Sequence, residues 1–297
     1  MAAAKRIAVI GSINMDLTAR ADRHPRVGET VMGLDLRYVP GGKGANQAVA
    51  AARLGGRVSL FGCVGDDSFG ERLLEGLREN RVDVSHIRRV SQESSGIALI
   101  TVAGGDNSIV VIPGANSHVT PAYLAERREA ILESDIVLLQ NEIPVESVEF
   151  AVGMCSSAGK AIIWNPAPMR PLSGRAMEQI TYCTPNEHEA ALLFPGTGSL
   201  NELVEKYGGK VIVTMGERGA MAWERGDFLR IPPRPARVVD TTGAGDTFNG
   251  ALAYALASGR TLREALSLAN TAAGLSTERY GAQAGMPLHS ELPERWQ

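Results

Sequence analysis

Asp240-Thr241-Thr242-Gly243-Ala244-Gly245-Asp246-Thr247-Phe248 is the stretch of this 297-residue chain with the most chemistry in it. It leads into a helix predicted from Phe248, Leu252, Ala255 and Leu256, which recur on one face. Gly243 and Gly245 let the backbone approach a ligand closely. At a helix N-terminus the outward amides and the macrodipole make an anion site, and Asp246 lies beside it in the first turn. A carboxylate there is either an N-cap after a Gly-rich turn or a base that deprotonates an alcohol attacking a phosphoryl group. The residues alone leave both open.

Pro40-Gly41-Gly42-Lys43-Gly44-Ala45-Asn46-Gln47 is the second such stretch. It is not a Walker A loop, because Arg37 stands where the first glycine belongs and Gly44 follows the lysine. Nor is there a dinucleotide fingerprint, since Gly11 is followed by Ser12-Ile13-Asn14. What remains is a diglycine turn feeding a helix, with Lys43 and Asn46 near its start. That suits a polyhydroxylated or anionic ligand, or simply a flexible turn. Cys63, Cys155 and Cys183 are far apart with no C-x-x-C, which excludes a disulfide framework and a zinc knuckle, and the five histidines are scattered without ligand spacing. Carboxylates, amides, lysine and backbone must carry any chemistry.

The elements that position these groups alternate. Ile7–Ile10, 58–61, 136–139, 161–164 and 211–214 read as short apolar strands. Between them the sequence predicts helices over 45–54, 68–79 with Asp67 or Ser68 as N-cap, 121–132 with Thr120 as N-cap, and 145–157. Another helix starts after Pro185, and two more lie near 247–258 and 262–277. Continuous apolar strands separated by helices mean a parallel sheet covered on both faces. Two segments break the rhythm. Thr30–Val39 alternates like a strand with no helix before it, and 97–103 and 108–112 are β-rich runs joined by Gly104-Gly105-Asp106-Asn107. With 17–21 they form either a small antiparallel sheet apart from the main layer, a natural lid for a site that must exclude water, or edge strands of the main sheet.

Thirty Lys and Arg against thirty-three Asp and Glu give a net charge of −3, which supplies no electrostatic footprint for nucleic acid or an anionic membrane. No apolar run approaches the roughly 18 residues of a membrane span. Met1–Gly11 has only a short apolar run after Lys5-Arg6, not a leader's apolar region, so the expectation is a cytoplasmic protein.

Four ordered motifs together resemble the PfkB, or ribokinase-like, family of carbohydrate kinases: Gly11-Ser12-Ile13-Asn14-Met15-Asp16, Gly41-Gly42-Lys43-Gly44-Ala45-Asn46, Thr184-Pro185-Asn186-Glu187-His188-Glu189 and Asp240–Phe248. The resemblance runs from about Ile7 to Pro287. It implies one α/β unit over 1–297, a three-layer sandwich with a mostly parallel central sheet flanked by helices, and a β-sheet lid from about 14–40 and 95–113. It places the sugar on Asn14, Asp16, Gly42, Lys43, Asn46, Glu142 and Asp246, a set whose carboxylates and amides can saturate hydroxyls that both donate and accept. Asp246 becomes the base, and the amides of Gly243, Ala244, Gly245 and Asp246 the anion hole.

By the same resemblance ATP belongs to Asn186, Thr214, Gly216, Gly219, Gly245 and Asn270, and Asn186 with Glu189 organises Mg²⁺ through water. A K⁺ site is implied at Asp240 and Thr242 and at the carbonyls of Ser276, Arg279 and Gly281. Gly285 stands where the family often has serine, so that ligand is missing or replaced by water. The connection from Leu193 to Val211 is short for the family, which predicts a trimmed peripheral helix. The implied activity is ATP-dependent phosphorylation of D-ribose at its 5-hydroxyl. Fructose, deoxyribose or a nucleoside such as adenosine are alternative acceptors, and a non-catalytic sugar-binding regulator or a Rossmann oxidoreductase are readings from other classes. A homodimer through paired lid sheets is also implied.

Overall fold

Side-chain alternation in the first strand decides the layering. Ile7 and Val9 enter one hydrophobic core, while Ala8 and Ile10 enter a second on the opposite face. A strand buried on both faces needs helices on both sides. The computed structural model describes residues 6–296, so Met1–Lys5, where the stretch inspected for a leader begins, and Gln297 lie outside the described residues.

In chain order, β1 (Arg6–Ile10), β2 (Asn14–Ala21) and β3 (Gly33–Gly41) precede α1 (Lys43–Arg53). β4 (Arg57–Phe61) and β5 (Cys63–Gly65) lead to α2 (Ser68–Glu79), then β6 (Arg88–Val90), β7 (Gly96–Ala103) and β8 (Asp106–Ile112). Next come α3 (Pro121–Glu126), α4 (Arg128–Leu132), β9 (Ile136–Leu139), α5 (Val145–Ser157) and β10 (Ala161–Trp164). They are followed by α6 (Gly174–Gln179), β11 (Tyr182–Cys183), α7 (Glu187–Leu193) and α8 (Leu200–Lys206). The chain ends with β12 (Val213–Thr214), β13 (Ala220–Glu224), β14 (Asp227–Ile231), α9 (Ala244–Ala257), α10 (Leu262–Ser276) and α11 (Ala282–Gly285).

The central sheet is parallel throughout, in the order β11-β10-β9-β1-β4. Bridges Cys183↔Val211 and Asn186↔Thr214 extend it into the antiparallel β12-β13-β14. Strand order reverses between β1 and β9, and crevices for ligands open at the carboxyl ends of strands at such a point. Gly11–Asn14 and Gln140–Glu142 leave the sheet there.

The segments that broke the rhythm form a separate sheet, β3-β2-β7-β8, and not edges of the main layer. Its middle pair, β2 and β7, runs parallel, so the sheet is mixed where a wholly antiparallel one was expected. The hairpin turn is shorter than expected: Ala103 pairs with Asp106, leaving only Gly104 and Gly105, at φ +61° and +82°, in a two-residue loop.

Two further departures have local causes. The helix expected over 121–132 breaks at Arg127, whose Nε donates to the carbonyl of His86 at 2.9 Å and whose guanidinium stacks over Tyr123. The helix expected from Thr247 starts three residues earlier, at Ala244, because Gly243 turns the chain at φ +77°. A short peripheral helix, α8, occupies the 193–211 connection.

α1 and α9 pack through small residues. A Cβ on Gly250 would lie 2.5 Å from the carbonyl oxygen of Gln47 and 2.7 Å from the Cβ of Ala50. Gly→Ala inside an unencumbered helix ordinarily stabilises by about 1 kcal/mol. Here overpacking reverses the sign: Gly250→Ala is expected to destabilise by about 1–3 kcal/mol, read as a lower urea midpoint at unchanged m.

Candidate active site

Gly243 is the N-cap of α9 and contributes no side-chain cap, so Asp246 sits at the third helical position. Its carboxylate does not cap the helix. It is buried, and donors from α1 solvate it: Asn46 Nδ2 at 2.9 Å on one oxygen and Gln47 Nε2 at 3.0 Å on the other. Those amides are oriented in turn. Gln283 Nε2 donates to Asn46 Oδ1 at 3.0 Å, and Gln140 Nε2 donates to Gln47 Oε1 at 2.7 Å.

The diglycine turn makes room for the neighbouring polar groups. A Cβ on Gly41 would fall 2.3 Å from Asp16 Oδ2, so the carboxylate occupies space that only glycine leaves. Gly42, at φ +86°, is the N-cap of α1 and would bring a Cβ within 2.7 Å of the Asn14 amide nitrogen. Asn14 Oδ1 accepts from Asn116 Nδ2 at 2.7 Å. Glu142 Oε2 accepts from Ser12 Oγ at 2.5 Å and from the Lys43 amide at 3.0 Å, which ties the end of β9 to the start of α1.

Four carboxylates surround one ammonium. Burial pulls Lys43 down, but Asp246, Glu142, Glu189 and Asp16 together outweigh it and hold the lysine above its ordinary value. Burial pushes Asp16 up to about 7, with Glu142 and Asp246 adding to the rise and Lys43 opposing it.

Asn14, Lys43 and Glu142 line a cavity of about 390 Å³, with Asn116, Arg170 and Glu189. Asp16, Gly42, Asn46 and Asp246 are not on its wall, and Asp16 and Asp246 reach it electrostatically through Lys43. Asn186, Thr214, Gly216, Gly219, Gly245 and Asn270 all line one larger cleft of about 780 Å³. Within it Gly245 faces open space, whereas a Cβ on Gly219 would strike the Ile231 carbonyl at 2.1 Å. Gly219 therefore shapes the loop. Asn270 spends its amide hydrogens on the carbonyls of Ile231 and Pro232, leaving only its oxygen for a ligand.

Asn186 and Glu189 form the capping box of α7, each side chain accepting from the other's backbone amide. Their N-x-x-E spacing thus has a helix-starting role, and one Glu189 carboxylate oxygen remains outside the box. Asp240 accepts from Thr242 N and Oγ1 on one oxygen and from Gly281 N on the other, which joins the two loops expected around K⁺ and lowers its carboxyl. A Cβ on Gly285 would lie 2.5 Å from the Ser276 carbonyl oxygen and 3.5 Å from that of Arg279, so the backbone there passes too close to carry a side chain without shifting.

Sequence reasoning missed Ser12, Gln47, Asn116, Gln140 and Gln283. For Gln47 a signal existed, since a polar pair at 46–47 on a helix otherwise made of buried alanines must find partners inside.

Residues 4–289 match the pfkB family of carbohydrate kinases. The ribokinase of Bacillus subtilis is 48% identical over 290 residues, which cover 98% of this chain and 99% of the relative. The ribokinase of Lactococcus lactis is 46% identical, covering 97% of this chain and 95% of the relative. The Arabidopsis thaliana ribokinase solved with ribose and ATP superposes with a TM-score of 0.90 at 31% identity, over 97% of each chain.

The Asp16 shift has a sign that can be measured. Its folded value lies above the unfolded 3.8, so the folded state holds the proton longer and stability falls as pH rises from about 4 to about 7. Asp16→Asn removes the ionisable group, and in urea melts it is expected to stabilise the fold more at pH 8 than at pH 4. An equal effect at both pH values would contradict the burial argument.

Proposed function

The chain belongs to the pfkB family of carbohydrate kinases, and from that premise we propose that it phosphorylates D-ribose at the 5-hydroxyl with ATP, giving D-ribose 5-phosphate and ADP. One observation carries the reading. Asp246 is a buried carboxylate adjacent to Gly245 on the 780 Å³ cleft and within electrostatic reach of Lys43 on the wall of the 390 Å³ cavity. A base is wanted at that boundary between two bound substrates.

In this mechanism ribose is held by Asn14, Asp16, Gly42, Lys43, Asn46 and Glu142, and ATP by Asn186, Thr214, Gly216, Gly219, Gly245 and Asn270. Asp246 takes the proton of the 5-hydroxyl. The oxygen's electron pair forms a bond to the γ-phosphorus as the bond from that phosphorus to the β–γ bridging oxygen breaks, and the electrons of the broken bond leave on the bridging oxygen with ADP. Amides of Gly243, Gly245 and Asp246 receive the charge developing on the transferred group, and that of Ala244, which donates to the Thr241 carbonyl at 3.1 Å, joins them only by releasing it. A carbohydrate kinase takes the place of the regulator and oxidoreductase readings.

The donor sets suit the implied cations. Glu189 keeps one oxygen free at the cavity wall and Asn186 lies on the nucleotide cleft, which fits Mg²⁺ held by phosphates and waters with a single indirect carboxylate. When bound, Mg²⁺ neutralises phosphate charge. For K⁺ the set is all oxygen: Asp240, Thr242 and the carbonyls of Ser276, Arg279 and Gly281.

The four-stranded sheet is the lid of a single α/β unit in this reading. Its Leu34, Leu36, Tyr38, Leu99 and Val110 are exposed on one face, opposite the one that carries Asp16 and Val111, and that face suits a homodimer through paired lids. No helix among the described residues is long and apolar enough to cross a membrane. Dependence on ATP suits the cytoplasm.

The test is phosphorylation of ribose, deoxyribose, fructose and adenosine with Mg-ATP, with and without K⁺; preference for any acceptor over ribose would overturn the substrate. Asp246→Asn is expected to lower kcat by about 10²–10⁴, the worth of a general base, with ribose still bound in calorimetry. Near-normal turnover would remove Asp246 as the base. Exchange of K⁺ for a large organic cation is expected to lower kcat, and no change would argue against the site at Asp240 and Thr242.

A further inference from the structure

The turn after α10 carries a glutamine that belongs to none of the four motifs. Gln283 lies in α11, buried, and its Nε2 donates 3.0 Å to Asn46 Oδ1, while Asn46 Nδ2 donates 2.9 Å to Asp246 Oδ2. A primary amide has an acceptor at one corner and donors at the other. With a donor already at its oxygen, Asn46 has its nitrogen to present to Asp246. α1 grips the same turn a second time: Arg53, two helical turns beyond Asn46, donates from Nη1 to the carbonyls of Gln283 at 2.6 Å and Met286 at 2.8 Å. Its Nε is held by Asn80 Oδ1 at 2.6 Å. The backbone and the side chain of Gln283 are therefore both fixed from one helix, and the side chain points at the carboxylate's partner.

We propose that Gln283 is a positioning residue: its donation to Asn46 sets the polarity of that amide, and so fixes the Asp246 carboxylate and ties the 281–285 turn to the reacting centre. The inference rests on the reading of Asp246 as the base. Without Gln283 the Asn46 oxygen is a buried acceptor lacking its partner, and the amide is free to rotate toward one. Rotation would turn its oxygen on Asp246, acceptor against acceptor.

A double-mutant cycle tests this. Gln283→Met keeps the length and bulk and removes the donor; Asn46→Ala removes the receiver. Gln283→Met is expected to lower kcat about tenfold in the otherwise unaltered chain and less than about twofold in the Asn46→Ala background, because residues acting through one another are non-additive. Gln283→Glu, which puts an acceptor opposite the Asn46 oxygen, is expected to lower kcat at least as much, and it carries the test if the Met variant does not fold. A glutamine with only a packing role would shift the melting temperature and leave kcat of the folded enzyme alone. Equal factors in both backgrounds, or an unaltered kcat in Gln283→Glu, overturn the proposal. Asp246→Asn in the same assay separates the two readings. Normal turnover there removes the base and this inference with it, whereas loss of turnover with an additive cycle overturns the role of Gln283 alone.

Discussion

A carboxylate withdrawn from water at the first turn of a helix has to be solvated by the protein, and most of the site follows from how that is done for Asp246. Its donors come from Asn46 and Gln47 on a different helix, so α1 and α9 must meet at close range. Only small residues permit that approach, which accounts for the alanines of α1 and for Gly250 opposite them. The two amides then need partners of their own, and Gln283 and Gln140 supply them. Each unpaired buried group in such a chain costs about 1–3 kcal/mol, and here Gln140 Oε1, beyond the link to Gln47, is left without a partner. The requirement that began with one aspartate thus reaches the ends of β9 and α11.

Glycine serves the same end elsewhere in the site. At position 41 it leaves the volume in which the Asp16 carboxylate sits, and at position 96 a Cβ would fall 2.2 Å from both Asn14 Oδ1 and Asn116 Nδ2. Gly11 and Gly44 pass so closely that a Cβ on Gly44 would lie 2.5 Å from the Gly11 carbonyl carbon. Most of these glycines are not binding groups. They are absences that let acidic and amide side chains stand where a Cβ would otherwise exclude them, which explains why a site rich in polar groups comes from stretches that read as turns.

How much was legible depended on the range of the interaction involved. β9, β10, α2 and α5 have the boundaries their residues predict, because a cap, an apolar run or a Gly-rich stop is a local property. The break at Arg127 was not legible: it follows from a hydrogen bond to His86, 41 residues away. The strands of the four-stranded sheet could be recognised by alternation, yet nothing local says which sheet a strand joins, and the parallel pairing of β2 with β7 sets Asn14 against Gly96. At the site, the candidates within the four motifs could be named in advance because a motif is a local pattern. Gln283 and Gln140 lie outside those motifs, and their meaning exists only once α1 has met α9.

Charge sets the last condition. Asp16, Glu142, Glu189 and Asp246 outnumber Lys43 and the Arg170 that shares its cavity wall, so the centre is acidic although one substrate proposed for it is a polyphosphate. The arrangement works because the two kinds of charge are kept apart. The carboxylates cluster where hydroxyls are to be held, and mutual repulsion with burial drives Asp16 up to about 7, which relieves part of the excess. The proposed place for phosphate is instead the start of α9, where Gly245 faces open space and backbone amides supply positive ends that carry no net charge. Amides cannot neutralise an entire triphosphate, and that is why the proposed cations enter the argument on the nucleotide's side. A chain of net charge −3 can then bind a highly charged nucleotide without the basic surplus that a protein relying on side-chain charge would need.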